Sequence, residues 1–284
     1  MPSIAHLAFV SETSSIGMSE LTRVSAALQK QLTRDVSQHW EIQGTVDAFT
    51  SLNDVPPGYW PIVIRDDIGQ DASGVHCDDT GQPMALIASG VDWSVAASHE
   101  MIEMLVDPFG NTMIAGASVA PDQGRVEYLV EACDPVSGKG YQVNGVNVSD
   151  FCTRRFFDPV KAEGVQYSFM GTITTPRQIV RDGYLTWFEP VRGEWWQQSW
   201  FTGDAPTIRS LGAVQKTTCG MRPTIDRLTR QHRQNLLGEI LKADSLEIKH
   251  AAQAVAASSS AKARMWRAHI DKLAATARDQ RKTP

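Results

Sequence analysis

The sequence predicts an α+β fold in which a mixed β-sheet backs one short helix that carries ionisable side chains. Two observations lead to this prediction. Segments with strand and helix patterns follow each other in the order strand, helix, strand, strand, strand, helix over residues 4–109. The last of these helices contains the H-E-x-x-E pattern at residues 99–103, which places a histidine and a glutamate on one helix face.

Hydrophobic periodicity defines the elements of this first part of the chain. Ile4–Ser11 is an apolar run typical of a buried strand. Met18–Trp40 predicts a helix, because apolar residues recur along it every three or four positions, and Ser19 is suited to cap its start. Three further strands are predicted from runs of β-branched and aromatic residues. They are Ile42–Phe49, Trp60–Arg65 and Met84–Ser89.

The helix predicted over residues 93–109 follows the last of these strands directly. A stripe of apolar or small residues at helical spacing gives it one packed side. These residues are Ser98, Ile102, Leu105, Val106 and Phe109. Pro108 closes the helix, since the residue before a proline is pushed out of the α region. We expect the preceding strand, residues 81–88, at the sheet edge, where it can bind an extended peptide by strand addition.

Downstream of the helix the pattern becomes β-rich. Gly110–Gly124 predicts a polar loop, and Arg125–Ala132 predicts a strand that leads into a Cys-Asp-Pro turn. Gly140–Phe157 predicts a hairpin with its turn at Asn144-Gly145. Further β-structure is predicted at Val165–Gly171, Gly183–Glu189 and the tryptophan-rich Gly193–Phe201. We expect the tryptophans of this part to lie in a core or an assembly surface.

The last part of the chain has helical periodicity from Thr224 onward and a different charge balance. From Arg222 to the end there are 13 Lys/Arg and 6 Asp/Glu, whereas the preceding residues contain 14 and 26. This asymmetry marks a separate unit. We therefore predict a metal-site domain at 1–160, a β-rich extension at 161–218 and a basic helical tail at 219–284. The tail helices are expected to mediate self-association or partner binding.

Composition excludes several classes of protein. The net charge of −5 and the pI of about 5.8 give no strong signal for nucleic acid or membrane binding. No apolar run approaches the roughly 20 residues of a membrane span. The N-terminus does not resemble a signal peptide, so we expect a cytoplasmic location, with a virion as the alternative. The four cysteines form no C-x-x-C pair, which argues against a disulfide framework or a cysteine-based zinc site.

The H-E-x-x-E pattern predicts a metal site. His99 and Glu103 are four residues apart and share a helix face, so they can hold one cation between them. Imidazole nitrogen and carboxylate oxygen are both ordinary zinc ligands. Glu100 lies about 100° round the helix from His99, close enough to reach a water molecule beside the cation.

A third ligand is expected from residues farther along the chain. Glu131 is the preferred candidate, because it comes late in a predicted strand just before a turn. Asp134 would then orient His99 through its other ring nitrogen. Asp107, eight residues after His99, is the rival third ligand. His76, in a loop rich in Gly and Asp, is a further candidate.

Three segments carry a resemblance to known families. They are SHEMIEMLVDPFGN at 98–111, VEACDP at 130–135 and GVNVSDFCTRRFF at 145–157. Together they resemble a group of uncharacterised bacterial and phage-type proteins that have an H-E-x-x-E-x-x-x-D-P helix and an E-x-C-D-P-V segment. They are more distantly similar to the plant phosphate-induced, EXORDIUM-like proteins. Both groups look like divergent zincin-type metallopeptidases, with Glu103 where well-studied peptidases have histidine. The resemblance covers about residues 70–160 and implies a zincin-like sheet behind the metal helix.

The motif and the resemblance together predict a zinc-dependent peptidase with one Zn²⁺ per chain and a peptide or protein substrate. His99, Glu103 and Glu131 are the expected ligands, and Glu100 is the expected general base. Two carboxylate ligands neutralise the metal more than two imidazoles do, so we expect weak or narrowly specific activity. Two alternatives remain open. One is a structural or assembly protein of phage-particle type with a structural or absent metal, and the other is a metal hydrolase acting on a small amide or ester.

Overall fold

The computed structural model describes residues 4–69, 74–79, 82–215 and 221–243 and shows an α+β protein. Within these residues the chain forms two five-stranded sheets, one two-stranded hairpin and four α-helices. The helices are α1 (Met18–Gln31), α2 (Ser37–Trp40), α3 (Trp93–Val106) and α4 (Arg222–Ala243). A π-helical turn, Leu32–Val36, joins α1 to α2.

The first sheet supports α3. Its strands are β1 (Ala5–Ser11), β2 (Gly44–Phe49), β3 (Trp60–Arg65), β4 (Gly74–Asp79) and β5 (Gln82–Ala88). They lie in the order β2-β1-β3-β5-β4, and all neighbours are parallel except β4, which is antiparallel to β5. Parallel neighbours need a crossover connection, which α1 supplies between β1 and β2. α3 follows β5 and packs against β4 and β5.

The larger apolar core lies between one face of this sheet and the helices α1 and α3. Alternate strand residues point into it, as the pleat of a strand requires. The sheet contributes Leu7, Phe9, Ile62, Ile64 and Ile87, and the helices contribute Leu21, Val24, Leu28, Ala97 and Met101. Burial of each large apolar side chain stabilises the fold by about 1.5–3 kcal/mol. This packing fixes the rotation of α3 and therefore the side on which His99 lies.

The second sheet is antiparallel and follows α3 in the chain. Its strands are β6 (Met113–Ala117), β7 (Arg125–Leu129), β10 (Tyr184–Glu189), β11 (Glu194–Ser199) and β12 (Thr207–Gly212), and β8 (Gly140–Val143) with β9 (Val146–Ser149) forms the separate hairpin. The order in the sheet is β12-β11-β10-β7-β6. Trp187 and Tyr128 are fully buried within its core, with ring centroids 5.9 Å apart. This sheet therefore joins strands from both sides of residue 160, where the sequence predicts a domain boundary.

Most elements predicted before α3 are confirmed. The strands begin and end within two residues of their predicted bounds, and the predicted helix from Met18 to Trp40 is continuous through its π-helical turn. The hairpin is also confirmed. Its turn residues Asn144 and Gly145 have φ of 51° and 76°, the left-handed values that a tight hairpin turn needs. Ser19 was wrong as the cap of α1, because the N-cap residue is Gly17.

Other expectations about strands were wrong. β5 is an inner strand, and the edge position belongs to β4, which residues 74–79 form within a segment predicted to be a loop. β6 also lies within a predicted loop, and β12 was not predicted. Val165–Gly171 contributes an isolated bridge from Ser168 to Cys152 but no strand. Gly and Asp are depleted in strands, so their presence concealed β4, which pairing with β5 holds in place.

In the part of the predicted basic tail that the structure describes, α4 spans Arg222–Ala243. The predictions for residues 244–284 lie outside the described residues. Among the described residues, no helix combines the length and the hydrophobicity of a membrane span.

Candidate metal centre

Hydrogen bonds on the buried side of α3 hold the helix in one rotation. Ser98 is fully buried, donates through Oγ to Gln31 Oε1 (2.8 Å) and accepts from the Ser149 N–H (3.0 Å). These contacts link α3 to α1 and β9, and they leave His99 and Glu100 on the wall of a cleft. α3 ends at Val106, before Asp107, as Pro108 requires.

His99, Glu103 and Asp134 form one group at this cleft. His99 Nε2 lies 3.3 Å from Glu103 Oε2 and 3.2 Å from Asp134 Oδ1. The first distance follows from the spacing of four residues on α3, and the second depends on the 3₁₀ turn Asp134–Val136 that follows β7. The His99 side chain is 18% exposed, whereas both carboxylates are buried. Their donor atoms lie within 4.8 Å of one another, close enough to hold a metal ion.

Glu103 is the most enclosed member of the group, with no exposed surface. Its Oε1 accepts hydrogen bonds from the backbone N–H groups of Cys133 (3.0 Å) and Asp134 (3.2 Å). Its Oε2 faces His99 Nε2 and also contacts the Arg222 Nη2. These two hydrogen bonds fix the orientation of the carboxylate, so its second oxygen, Oε2, points toward His99 in a defined direction.

Arg222, the first residue of α4, inserts its guanidinium among the acidic residues. Its Nη1 lies 2.7 Å from Glu131 Oε2 and 2.7 Å from the ring nitrogens of His76, while its Nη2 contacts Glu103. Glu100 Oε2 is 3.8 Å from Nη2, and Asp226 Oδ2 is 3.5 Å from Nε. Only 4% of the Arg222 side chain is exposed. The guanidinium is therefore the central cation of a buried acidic cluster.

Glu100 and His76 lie on the sheet side of the cluster. His76 Nδ1 is 3.1 Å from Glu100 Oε2, and both residues are buried. With Glu103 they form a second group whose donor atoms could hold a metal ion. Gly74 in β4 makes the close approach possible, because a Cβ there would lie 2.7 Å from Glu100 Cγ. His76 is thus a buried strand residue, although the sequence predicted a loop.

The charges in the cluster separate its carboxyl groups into two kinds. Burial acts to raise the pKa of Glu103, but the charges of Arg222 and His99 hold that pKa well below its usual value. Burial also acts to raise the pKa of Glu100. The hydrogen bond with His76 and the charge of Arg222 outweigh this effect and lower that pKa. Burial raises the pKa of Glu131 well above its usual value and raises that of Asp226 to about 6. Glu103 and Glu100, the two carboxyl groups with a lowered pKa, are therefore ionised at neutral pH.

His99 and Asp134 contact each other and both line the cleft. Burial acts to lower the pKa of His99, but the charge of Glu103 and the hydrogen bond to Asp134 together raise it well above its usual value. Burial and the charge of Glu103 raise the pKa of Asp134. Asp134 Oδ2 is buried and has no hydrogen-bond donor among the described residues. The cluster thus contains more carboxyl groups than the neighbouring cations can neutralise.

The structure brings together most of the residues that the sequence singled out. His99 and Glu103 face each other as expected, and Glu100 lies beside them. Asp134 approaches His99 at Nε2, the nitrogen that also faces Glu103, so our expectation that it binds the other ring nitrogen was wrong. Glu131 is in the cluster but pairs with Arg222, and it is absent from both metal-capable groups found among the described residues.

Asp107 is directed away from these groups. Its two carboxylate oxygens accept hydrogen bonds from Thr112, one from the backbone N–H (2.9 Å) and one from Oγ1 (2.7 Å). Asp107 is buried and closes the loop after α3. In this structure it stabilises the turn that leads to β6.

The cleft in front of the cluster has a volume of about 700 Å³. It is lined by residues of both sheets, α3 and α4, among them His99, Glu100, Asp134, Arg222 and Asp226. A cleft of this size accommodates a small molecule or a few residues of a peptide. The acidic cluster is therefore reachable from solvent through His99 and its neighbours.

Sequence reasoning did not find Arg222 or Asp226. Arg222 is one of 13 basic residues in a segment set apart by its charge, and nothing in its local pattern distinguishes it. The spacing of four residues between Arg222 and Asp226 is a typical helix ion pair, which predicts a surface contact and not a buried one.

Comparisons with protein-family models, with curated proteins and with solved structures found no match for the chain.

Proposed function

We propose that this chain is a zinc-dependent hydrolase that cleaves peptide bonds in the cleft beside α3. The observation that carries the proposal is the group of His99 Nε2, Glu103 Oε2 and Asp134 Oδ1, with a buried Glu100 carboxylate next to it. One imidazole and two carboxylates are donors that zinc accepts. Three protein ligands would leave a coordination position for water or substrate.

The donor set fits a divalent cation in three respects. The carboxylate of Glu103 is held in place by two backbone amides, which gives the ligand a fixed direction. Asp134 Oδ2 is buried without a hydrogen-bond donor among the described residues, a costly arrangement that a cation would relieve. His99 is partly exposed, so the position is accessible from the cleft. The proposal takes Asp134 as the third ligand, and Glu131 remains the alternative.

The residues around this position would have separate roles. A divalent ion would supply a Lewis acid for a substrate carbonyl and lower the pKa of a neighbouring water molecule. Glu100 is ionised at neutral pH because its pKa is lowered, so it can accept a proton and deliver it to the leaving amine. His76 fixes the Glu100 carboxylate through a contact of 3.1 Å. Gly74 leaves room for that carboxylate.

The first sheet supports a peptide as the substrate. In the described part of the chain β4 pairs with β5 alone, which leaves its outer edge available. An extended peptide can add to such an edge by backbone hydrogen bonds. Gly74 places the start of β4 in contact with Glu100, so a peptide on this edge would pass the candidate base. A sheet behind the metal helix is also what the resemblance to zincin-type peptidases implies.

The proposal is tested by metal content and hydrolysis in the same set of proteins. We expect about one zinc per wild-type chain, with zinc lost in His99→Ala and Asp134→Asn, because each removes one of three ligands. Glu100→Gln is expected to keep zinc and to lose turnover of a mixed peptide library. Glu131→Gln is the matched control for a buried carboxylate outside the ligand group.

Other outcomes would change the proposal in defined ways. Loss of zinc in Glu131→Gln but not in Asp134→Asn would move the third ligand to Glu131. Hydrolysis of small esters or amides without peptide cleavage would select the small-substrate hydrolase. Wild-type protein that binds no zinc after reconstitution would refute the metal centre.

A second candidate function is favoured by Arg222. A guanidinium in contact with several carboxylates can serve as a structural ion cluster that anchors α4, with no catalytic metal. The chain would then be an assembly protein, for example of a virus particle, and residues 222–284 would mediate its association. Self-association that requires this segment and persists in Glu100→Gln would support that function.

A further inference from the structure

Arg222 lies where an acidic cluster of this type would hold an ion. Its guanidinium contacts Glu103 through Nη2 and Glu131 through Nη1, and it approaches Glu100 and Asp226 to within 4 Å. The contact with His76 places Nη1 inside the second metal-capable group. Each of these neighbours except Asp226 comes from α3, from the first sheet or from the segment after β7. Arg222 therefore reaches from α4 into a site that other elements of the fold form.

One oxygen atom is shared between the two cation positions. Glu103 Oε1 is occupied by two backbone N–H groups, so Oε2 remains for other partners. That atom is 3.3 Å from His99 Nε2 and also contacts Arg222 Nη2. A divalent ion bound to His99 and Glu103 would lie next to the guanidinium, and like charges at such separations repel strongly away from bulk water.

We propose that Arg222 and a divalent metal ion are alternative occupants of this acidic site, so that docking of α4 and loading of metal oppose each other. The inference rests on the metal centre proposed above and adds its regulation. When α4 is docked, Arg222 neutralises the cluster. When the metal binds, Arg222 loses its partner oxygen on Glu103 and the start of α4 is released from the cleft wall.

Other residues of α4 also contact the body of the protein. Ile225 packs against Leu129 and Trp195, and the Thr229 hydroxyl accepts a hydrogen bond of 2.6 Å from Gln197. Arg222, Ile225 and Thr229 are buried and share one face of the first turns of the helix. Farther along, residues 231–236 are mostly exposed. Arg222 is thus the buried charged anchor at the start of the helix, and Leu228, His232 and Arg233 make further contacts with Arg209, Phe201 and Asp182.

Coupling of this kind is reciprocal. If metal binding weakens the docking of α4, then undocking of α4 must strengthen metal binding by the same factor. Asp226 and Thr229 line the cleft together with Arg222. Release of α4 would therefore widen the cleft at the same time as it frees the ligand oxygen. The helix acts as a gate whose closed position is held by the site itself.

The first test measures zinc affinity by competition with a chromogenic chelator. Arg222→Met keeps a long side chain without the charge, and we expect it to bind zinc at least about tenfold more tightly than wild type, as loss of a neighbouring like charge requires. Arg233→Met is the matched control. Arg233 lines the same cleft from α4 but pairs with Asp182 at 3.0 Å. Its substitution should leave zinc affinity within about twofold.

The second test follows hydrogen exchange of the amides of residues 222–236. In wild type, saturating zinc should accelerate exchange in this segment, while exchange in α3 stays slow. In Arg222→Met the segment should exchange quickly with or without zinc. Protection of α4 that is unchanged in zinc-saturated wild type would refute mutual exclusion, as would a zinc affinity of Arg222→Met equal to or below that of wild type.

A second variant keeps the test decisive if Arg222→Met does not fold. Arg222→Lys retains the charge but, as a compact ammonium, cannot bridge the same carboxylates, so its zinc affinity should exceed that of wild type by a smaller factor. Equal affinity in Arg222→Lys and wild type would then overturn the proposal. Tighter zinc binding without any hydrolysis would uphold the gate and reject the peptidase. Equal zinc affinity in wild type and the Arg222 variants, together with hydrolysis, would reject the gate and uphold the peptidase. Absence of zinc binding in every folded variant would reject both proposals.

Discussion

Substitution of Glu103 by glutamine is the sharpest test of how the acidic cluster contributes to stability. The change keeps the shape of the side chain and one oxygen for the backbone amides of Cys133 and Asp134. It replaces the charged oxygen that faces His99 and Arg222 with an uncharged NH₂ group, which donates hydrogen bonds and does not accept them. The experiment is performed with a chelator present, so that stability reflects the protein alone.

The expected magnitude follows from the burial of Glu103. Removing one member of a buried ion pair typically costs about 3–5 kcal/mol, because the other charge is left without compensation. Arg222 keeps a partner in Glu131 at 2.7 Å, so we expect the lower end, about 3 kcal/mol. The matched control is Glu41→Gln. Glu41 pairs with Arg154 at 2.9 Å, but its side chain is 80% exposed, and the expected loss is on the order of 0–1 kcal/mol.

Urea unfolding followed by tryptophan fluorescence measures both variants. The midpoint of Glu103→Gln should fall by about 1 M or more, whereas that of Glu41→Gln should move little. A double-mutant cycle with Arg222→Met then isolates the coupling of the two side chains. If Glu103→Gln were as stable as Glu41→Gln, the buried pair would contribute no more than a surface pair, and our description of the cluster would be incorrect.

Three further predictions concern residues around the cluster and in the second sheet. Ser98→Ala leaves a buried backbone amide and a buried side-chain acceptor unpaired, so we expect a loss of about 1–3 kcal/mol in thermal or urea unfolding. Ser94→Ala removes the hydroxyl of a half-buried serine whose hydrogen bond to the Asn147 carbonyl oxygen is exposed, and it should cost clearly less. Gly74→Ala places a methyl group 2.7 Å from Glu100 Cγ and should displace that carboxylate. Turnover should then fall while zinc content is kept, and unchanged turnover would argue against Glu100 as the base. Burial raises the pKa of Tyr128 from 10.0 to about 12. Its contribution to stability is complete below pH 10 and is lost as the pH rises toward 12, so the alkaline decline in stability should be shallower in Tyr128→Phe.

The regular parts of the fold could be predicted from the sequence because their local signals agree. The first sheet and α1 carry clear hydrophobic periodicity, and α3 ends where Pro108 requires. β4 was missed because its strand pattern is weak and its position depends on pairing with β5, a contact that local propensity does not report. β6 was missed for the same reason, because the composition of its segment is typical of a loop.

The same distinction between local signals and contacts of the folded chain applies to the residues of the candidate site. His99 and Glu103 could be paired from sequence because one helix fixes their separation. Asp134 and Glu131 were both recognised as candidates, but which of them approaches His99 is decided by the turn after β7. Arg222 was not predicted, since it is 119 residues from Glu103 in the chain and meets it only in the folded protein.

The distance of 119 residues between Glu103 and Arg222 also sets an order of events during translation. At about 5–20 residues per second, the acids of α3 leave the ribosome on the order of 10 s before Arg222 is made. A nascent chain that has folded its first sheet therefore presents an acidic cluster without its arginine. Divalent cations in the surrounding solution meet the cluster before Arg222 does.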